Sequence, residues 1–283
     1  MVKYGFQAKN ARTNQSKILF VILLRRQGRY FLKFPILTFP LFFGIILWKL
    51  SKKLRRFFLL ARSGVQRVIT EYGYDVFFTV TLICCIIIAG SYFFIPNPFV
   101  KYTLIAAGGV VFLFSLNFFR DPDRLTPPGN NCVLSPADGT VVAVKEVTEN
   151  VYLKNAAMQI SIFMSPLNVH VNRIPMSGRV GYFDYVKGKY FAAFEDKASL
   201  DNEQTHIGID NGRFKVFFKQ IAGFIARRIV CNLKVGDDVV AGKRFGMIKF
   251  GSRVDVFVPK NSDIKVSVGE KTTAGESLLA VVR

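Results

Sequence analysis

Residues 76–95 read VFFTVTLICCIIIAGSYFFI, twenty positions without one charge. Such a run has few places to go: the middle of a large core, or a bilayer, whose hydrocarbon takes about 20 residues of helix to cross. A second run at 102–119, YTLIAAGGVVFLFSLNFF, is 18 residues long and carries one amide, Asn117. Pro96, Asn97 and Pro98 force a turn between them. Two spans joined by six residues make a helical hairpin whose outer ends emerge on the same side. Arg62 and Arg67 precede the hairpin, Arg120 and Arg124 follow it, and Lys101 is the one cation in its turn, a bias that places the rest of the chain on the cytoplasmic side of the membrane.

Charge supports that division. The 283 residues carry a formal net charge of +20, but residues 1–70 hold 15 Lys and Arg and no acidic residue, whereas 71–283 hold 24 basic against 19 acidic. The body is close to balance, and a chain with 29 Phe and no basic helix repeat is not a nucleic-acid reader. The basic excess suits a membrane flank. Cys84, Cys85, Cys132 and Cys231 form no C-x-x-C pair, and His170 and His206 are the only histidines, so no metal site is expected and the setting is a reducing one. Within residues 1–70 the apolar stretches at 18–24 and 34–48 are too short, or too broken by Pro35 and Pro40, to span. An interfacial segment and upstream sequence read from a misplaced start both fit this part, and its Arg-rich, acid-free composition also resembles a transit peptide, against which the clustered Phe and Pro argue.

After the hairpin, at 71–120, the texture changes. Over 121–283 short β-branched runs alternate with Gly, Pro, Asp and Asn turns, the pattern of a β-rich domain of many short strands. It contains a repeat: V-G-D-x-x-x-A-G-x-x-F-x-x-I at 235–248 returns 33 residues later as V-G-E-x-x-x-A-G-x-x-L-x-x-V at 268–281. The expected fold is therefore mainly β, an open barrel or sandwich with related halves built from biotinyl-like units, preceded by the transmembrane hairpin. Taken alone, the repeat also fits a membrane-anchored biotinyl or lipoyl carrier or adaptor without catalysis. Glu195-Asp196-Lys197-Ala198 imitates a lipoyl lysine turn but lies outside the repeat.

Chemistry points to residues 249–259, KFGSRVDVFVP. Val254, Val256 and Val258 alternate with Asp255 and Phe257 as in a strand, and Gly251-Ser252 stands at its mouth. Gly-Ser pairs are common in turns and bulges. With no side chain on Gly251, however, its carbonyl can be approached closely, and Ser252 could attack it, turning amide into ester. Elimination and hydrolysis would then leave a pyruvoyl ketone at a new N-terminus. A serine needs a base, and His170 lies in an alternating SPLNVHVNRIP segment with Asn168 and Asn172 on its face. Asp138 in SPADG occupies a turn before a strand, where an aspartate caps backbone or orients a base. The hydrolase elbow G-x-S-x-G is missing, so the three residues are better suited to act on their own backbone. His206 reads as a strand residue, and Arg227-Arg228 as a solvated pair or a contact for lipid phosphate.

Taken together, FFRDPDR at 118–124, SPADG at 135–139, SIFMSPLNVHVNRIP at 161–175, the KAS…NE segment at 197–203, QIAGFIARRIVC at 220–231 and KFGSRVDVFVP resemble the short membrane-anchored bacterial form of phosphatidylserine decarboxylase, over about residues 60–283. The resemblance implies a proenzyme that cuts itself between Gly251 and Ser252 into chains 1–251 and 252–283, with Ser252 becoming the pyruvoyl cofactor. It also implies that Asp138 and His170 assist the cut and that His170 serves the decarboxylation. The substrate would be phosphatidylserine held at the membrane, its amine condensing with the ketone and the neighbouring amide carbonyl drawing off electrons as carbon dioxide leaves. Many relatives carry a second histidine where this chain has Arg173, which leaves both proton transfers to His170. A homo-oligomer is compatible with the sequence, which says nothing further on it.

Because the hairpin and every motif lie beyond residue 60, removal of residues 1–60 is expected to leave self-cleavage and decarboxylation intact. Cleavage on a denaturing gel, scored after separate verification of membrane insertion, checks this; an inserted but uncut protein would assign the segment a role.

Overall fold

The structure is a computed structural model that describes residues 25–26, 29–30, 68–188, 202–223, 228–249 and 251–283. The chain divides into two compact units, Met1–Lys52 and Lys53–Arg283. In the first, Arg25–Arg26 pairs antiparallel with Arg29–Tyr30. The apolar stretches at 18–24 and 34–48, the segment 195–198 and Arg227 lie outside the described residues.

Helix α1 (Tyr74–Phe94) and helix α2 (Pro98–Phe118) form an antiparallel pair. Both begin earlier than the charge-free runs suggest. For α2 the reason is local: Asn97 caps the helix by accepting from the N–H groups of Phe99 and Val100 at 3.0 and 3.3 Å, and Pro98 takes the first helical position, where no N–H is needed. Most of each helix faces away from protein, with Phe93, Phe94, Phe99 and Leu113 exposed, and both are long and apolar enough to cross a membrane. The base of the hairpin is different. Thr70 N–H donates to Phe119 O at 2.8 Å and Asp121 N–H to Val68 O at 3.1 Å, while Phe77, Phe118 and Phe119 pack with Met247 of the β domain. A methyl group on Gly73 would stand 2.2 Å from the Phe119 ring, so that close packing needs glycine there.

The β domain comprises β1 (Cys132–Leu134), β2 (Gly139–Glu149), β3 (Asn155–Met164), β4 (Val171–Arg173), β5 (Gly178–Val186), β6 (Gln204–Asp210), β7 (Lys215–Ala222), β8 (Ile229–Cys231), β9 (Asp238–Val239), β10 (Arg244–Ile248), β11 (Ser252–Pro259), β12 (Asp263–Ile264), β13 (Lys271–Thr272) and β14 (Leu278–Val281). Among the described residues, eight strands form one antiparallel sheet in the order β9-β5-β6-β7-β11-β3-β2-β13, curled into an open half-barrel. Two three-stranded sheets, β8-β10-β4 and β12-β14-β1, accompany it. Strand β11 is central, pairing β3 through Ser252 opposite Met164 and β7 through Ser252 opposite Ala222.

Alternation along β11 divides two environments. Val254, Val256 and Val258 enter the main core with Ile160, Ile162, Ile207, Phe218 and Leu279. Arg253, Asp255 and Phe257 point to the other face, where Arg253, 1% exposed, donates to Asp255 Oδ1 at 2.6 Å and Ser161 Oγ at 2.8 Å. The two repeat units form the same turn. Gly236 and Gly269 have φ of 97° and 92° and donate their N–H to Val180 O and Val141 O, each at 2.8 Å. Gly242 and Gly275, both at φ 76°, donate to Ile174 O and Ser135 O at 2.8 and 2.7 Å.

A strap of five residues, 120–124, leads from the hairpin into this domain. Asp121, 1% exposed, takes Arg244 Nε on both oxygens at 2.8 Å and Arg173 Nη2 at 3.4 Å, and Asp123 takes Arg244 Nη2 at 2.7 Å. Arg173 also donates to Gly242 O at 2.9 Å and Pro122 O at 2.8 Å. Removal of one partner from a buried ion network leaves the others desolvated and unpaired, so Asp121→Ala should cost about 3–5 kcal/mol in chemical unfolding, with the Arg173 and Arg244 guanidiniums stranded. A loss below about 1 kcal/mol, typical of an exposed pair, would contradict the structural role given to Asp121.

Candidate active site

Ser252 is fully buried at the head of β11, its Oγ 3.3 Å from Met164 Sδ. Around a methyl group built on Gly251, no atom apart from those of its chain neighbours lies within 4 Å. The same sulfur of Met164 lies 3.8 Å from Asn172 Nδ2, and Asn172 stands on β4 two residues after His170. Gln220 Nε2 donates to Asn172 Oδ1 at 2.8 Å, and Thr205 Oγ1 donates to Gln220 Oε1 at 2.7 Å. Serine and histidine segments thus share one buried, hydrogen-bonded neighbourhood, with Asn202 Nδ2 closing its edge on Ala222 O at 2.7 Å.

His170 is wholly inaccessible to solvent. Its Nδ1 lies 2.9 Å from the Asn168 carbonyl, which can only accept, so Nδ1 carries the proton and the lone pair is on Nε2. Nε2 has no hydrogen-bond partner among the described residues. The ring lies against Phe118, centroids 4.4 Å apart at 35°. Burial pushes the imidazole down to about 4, opposed by the Asn168 carbonyl and reinforced by the Arg120 guanidinium. The ring is therefore neutral across the physiological range, with a bare nitrogen facing inward.

Asp138 is not on the imidazole. Its Oδ2 takes Arg124 Nη2 at 2.8 Å and its Oδ1 takes Ala274 N–H at 2.8 Å. Burial holds this carboxyl above the ordinary carboxylate range, outweighing the Ala274 N–H and Arg124. The group that fixes the His170 tautomer is the Asn168 carbonyl, and no hydrogen bond joins Ser252, His170 and Asp138 to one another. Arg173, in the slot of the second histidine, is committed to Asp121, Pro122 and Gly242. His206 lies on β6 opposite Lys219 with Asp184 on its other side, and its ring meets Phe217 at 5.5 Å. Arg228 stands 3.9 Å from Asp75.

Phe118, Arg120 and Arg124 escape sequence reasoning because each looks like the trailing edge of an apolar span. Arg120 Nη1 donates to Asn117 O and Oδ1, and its Nη2 to Leu167 O at 3.0 Å, inside the loop that presents His170. The usable signal is the motif itself: FFRDPDR packs two rings and four charges into seven residues at a helix end.

The structure thus defines a curled antiparallel sheet preceded by two helices long and apolar enough to cross a membrane, with a Gly-Ser pair opening its central strand. Comparison with known proteins gives the family. The family model for phosphatidylserine decarboxylase matches residues 111–280, more than half of the chain. A phosphatidylserine decarboxylase proenzyme of Chlorobium phaeobacteroides is 45% identical over 211 residues, covering 74% of this chain and 98% of that one. Those of Pelodictyon phaeoclathratiforme and Chlorobaculum tepidum are 44% and 46% identical, covering 75% and 70% of this chain and 98% and 91% of theirs. The chain belongs to the phosphatidylserine decarboxylase family, which displaces the non-catalytic carrier suggested by the repeat alone.

The depressed imidazole is directly measurable. Replacing His206 with Gln leaves one ring to follow, and in a Ser252→Ala, His206→Gln protein that ring should titrate near 4 by NMR, well below the ordinary 6.5. The unfolded chain then binds a proton that the folded one refuses. Stability should accordingly fall as pH drops from 6.5 toward 4, by about 3 kcal/mol at the acid end. A midpoint near 6.5 would mean a solvated ring.

Proposed function

We propose that this chain converts phosphatidylserine to phosphatidylethanolamine through a pyruvoyl group that it makes from Ser252 by self-cleavage after Gly251. The observation that carries the reading is the family match combined with Ser252, buried at the head of the central strand behind a glycine. A pyruvoyl group fits this position: having lost the amide nitrogen it is smaller than the serine residue it would replace, and its surroundings, Met164 and the strand core, keep water out.

For maturation, Ser252 Oγ leaves Met164 and attacks the Gly251 carbonyl carbon, converting amide to ester. His170 Nε2 takes the hydroxyl proton and passes it to the freed nitrogen, a transfer that suits a ring held neutral, because imidazolium exists only in transit. Loss of the Ser252 α-proton then breaks the Cβ–O bond and releases the Gly251 carboxylate, and water displaces ammonia to leave the ketone. Asp138 acts at one remove. Bound to Arg124 and Ala274 N–H, it holds the SPADG turn, and through that turn Pro136 O receives Asn172 Nδ2 at 3.3 Å.

For turnover, a pyruvoyl group supplies a carbonyl to bind the substrate amine and a sink for the electrons left by carbon dioxide. This chain's own residues exclude water around it, and His170 is the candidate to return a proton to the α-carbon. The two apolar helices would hold the domain at the inner face of a bacterial inner membrane, with residues 71–120 as anchor and 121–283 as catalytic domain. The V-G-[DE]…A-G units are read as biotinyl-like, a relation supported by the matching bonds at Gly236 and Gly269.

Active protein should therefore comprise two chains, the smaller being residues 252–283 with a blocked N-terminus, as intact mass will report. Ser252→Ala should remain uncut and inactive. His170→Ala should slow self-cleavage by roughly 10² to 10⁴; maturation at the normal rate across pH 6 to 9 would remove His170 from this role.

A further inference from the structure

We propose that Phe118 and Arg120, at the end of α2, are positioning residues for His170, which makes the base of the helical hairpin a working part of the processing site and not only an anchor. The proposal rests on the reading of His170 as the base. Three contacts carry it. The Phe118 ring, 1% exposed, lies 4.4 Å from the imidazole centroid and covers it on the side of the helices. Arg120 Nη2 holds Leu167 O at 3.0 Å, one residue before the carbonyl that fixes the His170 tautomer. Phe119 and Asp121 are in turn tied to Thr70 and Val68, so the grip on the loop is referred to the start of α1 as well as the end of α2.

Among the described residues the loop also bonds within itself: Asn168 N–H donates to Ser165 O, and Ser165 N–H to Asn168 Oδ1, each at 2.9 Å. It is a short turn between β3 and β4, and Arg120 and Phe118 add contacts to it from the end of α2. Arg120 is the charged group acting on the ring, with Asp138 and Arg124 acting on Arg120 behind it. Strand β10, which pairs with β4, sets Met247 opposite Val171 and brings no titratable group at that register. Phe118 therefore supplies the apolar cover, and Arg120 both the mechanical hold and the positive field. A neutral, correctly aimed Nε2 follows from the two together, and misplacement by about 1 Å is enough to cost on the order of 10²-fold in rate.

The test uses the full-length protein in membranes and follows conversion of the proenzyme against pH. Phe118→Leu should slow maturation at neutral pH by on the order of 10- to 100-fold and move the acid limb of the rate profile upward by at least about one pH unit, because a less covered imidazole protonates more readily. Phe118→Tyr, which keeps the ring, should restore both. Arg120→Met removes the Leu167 contact while leaving the aromatic packing in place. It should slow maturation and raise the acid limb, and it keeps the test open if Phe118→Leu does not fold. Wild-type rates in both variants, or slowed rates with an unmoved acid limb, would overturn the proposal. In a Ser252→Ala, His206→Gln background, NMR should show the His170 midpoint rising in Phe118→Leu. That measurement stands even if His170→Ala matures normally, so failure of the base assignment and failure of the positioning role are separable.

Discussion

Asp121 is shut away from solvent with two guanidiniums on its carboxylate, and much of the molecule's order depends on that arrangement. Arg244 comes to it from β10 and Arg173 from β4, while its own N–H is held by Val68 ahead of the first helix. One side chain thus joins the membrane-proximal helices, the strand after His170 and the first glycine turn of the repeat, through Arg173 on Gly242 O. A buried carboxylate is costly unless every lone pair is matched, and here the matching partners come from distant parts of the chain. The network specifies an orientation more than it supplies stability. Arg173 illustrates the consequence: its guanidinium is committed to Asp121, Pro122 O and Gly242 O, so the side chain that ends β4 holds the strap.

That imidazole carries a compromise. Deep burial under Phe118 makes His170 a weak base, yet it guarantees the neutral form and removes the water that would compete for Nε2. In the proposed self-cleavage such a base would suffice, since the nucleophile and the carbonyl it would attack are adjacent in the chain and the entropy of approach is already met.

Much of this was legible in the residues. The two charge-free runs, the period-2 alternation of 252–259 and the glycines of the repeat each have a local cause, respectively desolvation, the pleat and positive φ, and the structure has all three. The order of the sheet was not legible: β11 lies between β7 and β3, both earlier in the chain, with Ser252 opposite Ala222, 30 residues back, and Met164, 88 residues back. Nor were the site's partners. Asp138 and His170 invite pairing because their chemistry is complementary, but His170 lies in the loop just ahead of β4, not on the strand its alternation suggests, and meets a backbone carbonyl, while Asp138 meets Arg124; a backbone acceptor has no residue type to betray it. Phe118 is the sharpest case, since one ring serves as the last residue of an apolar helix and as the lid on an imidazole.

The position of β11 has a consequence for what a cut chain would be. The strand that opens with Ser252 is bonded along both edges, to β3 and to β7, and the residues that follow it supply β12, β13 and β14 to two different sheets. A break ahead of residue 252 would sever connectivity without altering topology. The short product would remain threaded through the long one as an internal rib, unable to depart without unravelling the sheet. Two polypeptides made in this way behave as one folding unit with a single history: neither could be exchanged, resupplied or assembled separately, so each molecule would keep for life the fragment it was born with.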